Sequence, residues 1–262
     1  MSKKEMNTDM PVVIFCGGKG TRLKEETEFK PKPMVTVGGM PILWHIMKQY
    51  SHYGFNNFIL TLGYKGNSIK DFFLNHKALY SDFRMEGGEV VETFSNYEEN
   101  KFNIIFADTG EETLTGERLK KVASYITTDQ FMVTYGDGVS NIDIPELIDF
   151  HNGRDSIGTI TGVHPTSKYG LVSIDDENKI TSFEQQPKLQ EYVNGGFMIF
   201  EKDFLKYLTE DQIIEDAMIE AAKNEGLGLY KHDGFWHSMD TYKDYKDLNV
   251  MWDADPKWQI WK

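Results

Sequence analysis

The stretch from Val12 to Met34 constrains this chain most. It opens with Val12-Val13-Ile14-Phe15-Cys16, an apolar run that suits a strand buried on both faces. Gly17, Gly18 and Gly20 follow at once, with Thr21 and Arg22 behind them. Glycines at the end of a buried strand turn the chain and leave backbone amides uncovered, and a triphosphate can sit on such amides. Arg22, Lys30 and Lys32 are the cations such a ligand needs. The spacing matches neither G-x-x-x-x-G-K-[ST] nor G-x-G-x-x-G, so neither the ATPase loop nor the dinucleotide fingerprint applies. On glycine spacing alone, a plain strand-to-helix turn is an equal reading.

Downstream, apolar runs and helical spacing alternate. Pro41 precedes Ile42, Leu43, Ile46, Met47 and Tyr50 at helical spacing, and Gly54 closes that helix. Phe58 to Leu62 reads as a strand and Asn67 to Leu74 as a helix. Residues 76–102 are acidic and poorly periodic, an excursion with a short hairpin or helix. Phe102 to Ala107 and Phe131 to Tyr135 are strands, with a helix opening at Thr115 between them. Strands are expected at Ser156–His164, Gly170–Asp175, Lys179–Glu184, Val193–Phe200 and Gly228–His232. Helices are expected over Ile144–His151, Gln212–Glu225 and from Tyr242, while Lys24 to Glu28 reads as a solvated loop or short turn. Such alternation implies a single-domain, Rossmann-like, mostly parallel sheet flanked by helices. That domain spans residues 1–262, with 1–10 a loose lead-in.

At 40% hydrophobic and 13% aromatic, the chain can pack a core of that size. Its net charge of −13 argues against nucleic acid as a partner, so a phosphate ligand must be met by a local cluster of cations. Cys16 is the one cysteine, which excludes an internal disulfide and a cysteine-based metal site. No apolar run approaches a membrane span and no signal-peptide h-region is present, so no membrane partner and a cytoplasmic location are expected.

Two aspartates stand out. Asp137 follows the 131–135 strand between two glycines, the position where open α/β sheets bind ligands. Its carboxylate suits Mg2+, which needs only one or two protein carboxylates plus substrate phosphate. A functionless turn Asp explains it as well. Asp240 is a second candidate, or simply an acid at a helix N-terminus. Asn194 and Gly195 lie in a strand broken by two glycines, which marks either a ligand at bare backbone or a β-bulge. Nothing nominates an activated serine or cysteine, and Cys16 reads as an inert core thiol.

These segments together resemble the sugar-phosphate nucleotidyltransferases, and within them the glucose-1-phosphate cytidylyltransferases. The resemblance rests on Phe15-Cys16-Gly17-Gly18-Lys19-Gly20-Thr21-Arg22-Leu23, Lys30-Pro31-Lys32-Pro33-Met34, Asp108-Thr109-Gly110, Tyr135-Gly136-Asp137-Gly138, Asn194-Gly195-Gly196-Phe197 and Met239-Asp240-Thr241, in the family's order. It implies the nucleotidyltransferase fold with a smaller β-rich acceptor-side region. It also implies transfer of CMP from CTP to a phosphorylated acceptor, with pyrophosphate released, in surface-polysaccharide synthesis (capsule or O-antigen). By the same resemblance Gly17, Gly18, Gly20 and Thr21 wrap the nucleotide, and Arg22 and Lys32 hold its phosphates. Thr109, Gly116 and Arg118 lie near the base, Asp137 and Asp240 bind Mg2+, and Asn194 and Gly195 face the acceptor. Arg22, Lys32 and Asp137 are then the catalytic set, and a homo-oligomer is expected.

The chain departs from that pattern on the acceptor side. Relatives carry Glu-Lys-Pro where this chain has Gln185-Gln186-Pro187, and the family's arginine before Tyr-Gly is Lys168 here. Gln186 keeps a hydrogen bond but removes a charge from a site built for a dianion. Lys168 or Lys188 could supply the missing cation. The acceptor could be glucose 1-phosphate or a phosphorylated non-sugar such as phosphoglutamine or a polyol phosphate. A non-catalytic nucleotide-binding homologue is the reading from another class.

Overall fold

In a computed structural model, residues 6–94, 102–167 and 169–261 are described. β1 (Val12–Phe15) is wholly buried. After the glycine loop come α1 (Lys24–Thr27), a 3-10 turn at Lys32–Met34, and a small hairpin of β2 (Thr36–Val37) and β3 (Met40–Pro41). Then follow α2 (Ile42–His52), β4 (Asn57–Leu62), α3 (Gly66–Leu79), β5 (Phe83–Glu86), β6 (Glu89–Thr93), β7 (Asn103–Asp108) and α4 (Thr115–Lys121). β8 (Gln130–Tyr135), β9 (Gly138–Ser140), α5 (Ile144–Asn152), β10 (Gly158–Val163), β11 (Leu171–Ile174) and β12 (Ile180–Glu184) continue the chain. β13 (Val193–Asn194), β14 (Met198–Glu201), α6 (Ile214–Asn224), β15 (Leu227–His232), β16 (Trp236–Ser238) and α7 (Tyr242–Ala254) complete it.

β1 lies between β4 and β8, parallel to both, and β7 pairs parallel with β4. β14 runs antiparallel to β8 and to β10, while β15 runs parallel to β10. The sheet is therefore mostly parallel, as expected. Both faces are buried because β1 alternates: Val12 and Ile14 join one core cluster, Val13 and Phe15 the other. Two-stranded ribbons, β11 with β12 and β9 with β16, accompany the main sheet.

The structure corrects some expectations and narrows others. The 24–28 segment contains one helical turn, since the buried Thr27 hydroxyl bonds Leu23 O at 2.8 Å and Gly20 O at 3.1 Å. α3 runs past the expected end at Leu74 to Leu79, whereas the hairpin, one of the two forms expected in the acidic excursion, is there as β5/β6, turning at Gly87-Gly88, both at positive φ. Residues 95–101 of that excursion lie outside the described residues. The 193–200 strand is split. Gly196 and Phe197 take φ of +76° and +49°, and the register with β10 slips from Gly162↔Asn194 to Thr159↔Ile199. Met10, at the end of the expected loose lead-in, is buried in the core.

The tryptophan-rich tail closes over His45. His45 is fully buried, its Nε2 meets Val37 O at 2.9 Å, and Trp258 Nε1 donates to its Nδ1 at 3.4 Å. A ring nitrogen that accepts from an indole cannot carry a proton, so the neutral form is required. Burial lowers this histidine from 6.5 to about 4. The unfolded chain therefore binds a proton that the folded chain refuses as pH falls from 6.5 to 4. Stability should fall by roughly 1.4 kcal/mol per pH unit in that window from this group alone. Urea titrations from pH 7.5 to 5 should show the slope, and His45→Asn, less stable at pH 7.5, should show a shallower one. An unchanged slope in the variant would assign the acid sensitivity elsewhere.

Candidate active site

The strand order reverses at β1. The chain builds outward through β4 and β7 on one side, then returns to place β8 on the other. Parallel sheets leave a crevice at the carboxyl ends of their strands at such a point. The glycine loop leaves β1 and Gly136-Asp137 leaves β8 at this crevice. A cleft of about 250 Å3 lies there, lined among others by Gly18, Gly20, Thr21, Arg22, Lys32, Tyr135, Asp137 and Asp240.

Asp137 and Asp240 meet. Lys32 Nζ donates to Asp137 Oδ2 at 2.5 Å and to Asp240 Oδ1 at 2.7 Å, and Arg22 reaches the same Asp240 oxygen at 3.0 Å. Two backbone features bring the aspartates together. β16 pairs antiparallel with β9, opposing Ser238 to Gly138, and Met239 N donates to Asp137 O at 2.8 Å. Lys32 is itself nearly buried on its 3-10 turn. Burial alone would lower its ammonium, but the two aspartates outweigh that and hold it above its ordinary value. The cation is thus fixed and charged at any working pH.

Arg118 is held by a web of backbone carbonyls. It is 3% exposed and stretches under the glycine loop. Its guanidinium donates to Gly17 O, Leu62 O, Gly110 O, Glu111 O and Thr109 Oγ1. Nη1 and Nη2 together tie the loop to the ends of β4 and β7. Thr109 is buried in the same web. Gly116 packs on the backbone of Gln212 and Ile213, where a Cβ would lie 2.7 Å from Gln212 O. Gly17, Thr109, Gly116 and Arg118 are not among the residues that line the cleft. A Cβ on Gly17 would sit 2.1 Å from Arg118 Nη1. Gly17→Ala should cost about 1–3 kcal/mol in denaturant unfolding, because a well-packed group is forced aside. Unchanged stability would mean that the loop yields freely.

Burial raises the Cys16 thiol far above its ordinary value, so no thiolate is offered at the cleft. A second cleft of about 600 Å3 adjoins the first and shares Asp240 with it. Gln186, Lys188, Trp236 and Lys243 line it. Asn194 touches a lining residue of the first cleft and Gly195 one of the second. Asn194 Nδ2 donates to Tyr135 OH at 3.3 Å, and Trp236 Nε1 donates to Gly195 O at 2.8 Å. Lys168 lies outside the described residues. Sequence reading missed Tyr135, Trp236 and Lys243, which stand in ordinary strand and helix patterns. A further groove of about 650 Å3, lined by Asp129, Asp155, Glu201, Lys202, Asp203 and Glu225, shares no lining residue with either cleft.

The family model described as Nucleotidyl transferase matches residues 11–251. The chain belongs to this family. Among relatives of this nucleotidyltransferase, glucose-1-phosphate cytidylyltransferase of Salmonella typhi is 38% identical over 97% of this chain and 100% of its own length. HddC from Yersinia pseudotuberculosis has the same fold, with a TM-score of 0.67 at 24% identity, covering 93% of this chain and 99% of that one. So does a UDP-glucose pyrophosphorylase complexed with UDP-glucose, with a TM-score of 0.67 at 14% identity, covering 93% of this chain and 98% of that one. The chain is thus a nucleotidyltransferase.

Proposed function

We propose that this nucleotidyltransferase moves CMP from CTP to the phosphate of a sugar 1-phosphate, glucose 1-phosphate first among them, for surface-polysaccharide synthesis. The single observation that carries the reading is the convergence of Asp137 and Asp240 on Lys32 beside the glycine loop. The 38% identity to a full-length glucose-1-phosphate cytidylyltransferase supports the choice of CTP and of acceptor.

In the reaction an acceptor phosphate oxygen forms a bond to the α-phosphorus of CTP while the bond to pyrophosphate breaks. No protein nucleophile takes part, in keeping with a buried, protonated Cys16. Positioning and charge neutralisation carry such chemistry. Amides of the Gly18–Thr21 loop would cradle the phosphates, and Lys32 and Arg22 would neutralise them. Asp137 and Asp240 offer converging hard oxygens, which fits Mg2+ completed by substrate phosphate. Mg2+ held there would supply charge neutralisation at the α-phosphate and the leaving group. Arg118 keeps the loop in place through its web of carbonyls.

Pyrophosphate release with glucose 1-phosphate, run in parallel with CTP, UTP, dTTP, ATP and GTP, tests the reading. CTP should give the highest kcat/KM. A clear preference for another nucleotide would overturn the choice of base. CTP binding with silence across a broad acceptor panel would favour the non-catalytic reading.

A further inference from the structure

The second cleft carries a cation that the sequence does not announce. Gln186, at φ +48°, accepts through Oε1 from Lys243 Nζ at 3.3 Å. An ammonium only donates, so the amide oxygen faces the lysine and the amide N–H groups are left as donors. Lys243 stands in the first turn of α7, a poor place for a cation, because the helix dipole is positive there. Asp244 is the residue that serves this helix end, closing a capping box with Thr241. Lys243 thus works against its own helix, and its ammonium rests on a neutral amide rather than a carboxylate.

Its place relative to the reacting centre is fixed by the chain. Asp240 borders both clefts, Thr241 caps α7, and Lys243 follows two residues later. A phosphate resting on Lys243 and Gln186 therefore lies on the acceptor side of Asp240.

We infer that Lys243, steered by the Gln186 side chain, is the cation that takes the phosphate of a sugar 1-phosphate acceptor. The inference rests on the nucleotidyl-transfer reading and deepens it. Lys243 binds the dianion directly, while Gln186 positions it and adds a neutral donor. The charge absent at 186 is restored from α7, 57 residues further along the chain. A glutamine at this position is then compatible with an ordinary sugar phosphate.

Calorimetry of CTP and of glucose 1-phosphate, in separate titrations, tests this on the wild type, Lys243→Ala, Lys243→Arg and Gln186→Ala. Lys243→Ala should weaken glucose 1-phosphate binding roughly tenfold or more, the scale of one charge-assisted hydrogen bond. Its CTP affinity should be unchanged. Lys243→Arg should recover most of the loss, and Gln186→Ala should lie between. In turnover, Lys243→Ala should raise the acceptor KM and leave the KM for CTP alone. Glucose 1-phosphate binding unchanged in Lys243→Ala overturns the proposal, as does a wild type that does not bind it. Failure of the wild type to bind CTP instead overturns the nucleotide reading.

Discussion

Asp137→Asn loses at least about a hundredfold in kcat, the scale of removing one preorganised electrostatic group, while the protein stays folded. The loss is expected because Asp137 is one of two carboxylates converging on Lys32 at the carboxyl end of β8. Folding survives because the elements that place it are tied by backbone. The β9/β16 ladder and the bond from Met239 N to Asp137 O do not use the carboxylate. The amide retains the volume and can still accept from Lys32. Circular dichroism and denaturant midpoints check the fold, and pyrophosphate release checks kcat. A variant with full activity would remove Asp137 from the chemistry, and an unfolded variant would make it structural.

Lys32→Ala should be as damaging to turnover, and it should behave differently toward metal. Without the ammonium, Asp137 and Asp240 lose the one cation that both carboxylates touch. Like charges at close range raise carboxylate pKa values and destabilise the fold. Mg2+ should therefore raise the thermal midpoint of Lys32→Ala more than that of the wild type. CTP affinity should fall by about 1.5–3 kcal/mol, one charge-assisted phosphate contact. Differential scanning fluorimetry with and without Mg2+, paired with CTP calorimetry, reads both effects. Equal Mg2+ shifts in the two proteins would separate Lys32 from the metal locus, and unchanged CTP affinity would separate it from the phosphates.

How much of this was legible in the sequence follows from the range of the interactions. β1, β4 and β8 announce themselves as apolar runs because both sheet faces are buried. Asp137 was legible because it ends one of those runs between two glycines. That it meets Asp240 was not, because the link is a ladder of two three-residue strands, too short for any periodic signal. Arg118 was placed near the base by resemblance, and only packing shows it underpinning the loop through buried carbonyls. The glycine pair offered a β-bulge or a ligand at bare backbone, and the register with β10 slips at this point. The acceptor cation was sought at Lys168 or Lys188, close to Gln186 in sequence. Lys243 comes from a helix whose own pattern gives no reason to look there, and the fold alone brings it to Gln186.

The central claim is that two converging aspartates, a buried lysine and a glycine loop transfer CMP to a phosphorylated acceptor. Phosphorus NMR of the purified protein with Mg2+, CTP and glucose 1-phosphate tests it directly. The account predicts that CTP and glucose 1-phosphate signals fall together. Pyrophosphate and the paired diphosphate resonances of a CDP-sugar should rise in equal amounts. CMP and pyrophosphate with glucose 1-phosphate untouched, or CTP unchanged by a protein that binds it, would contradict the account.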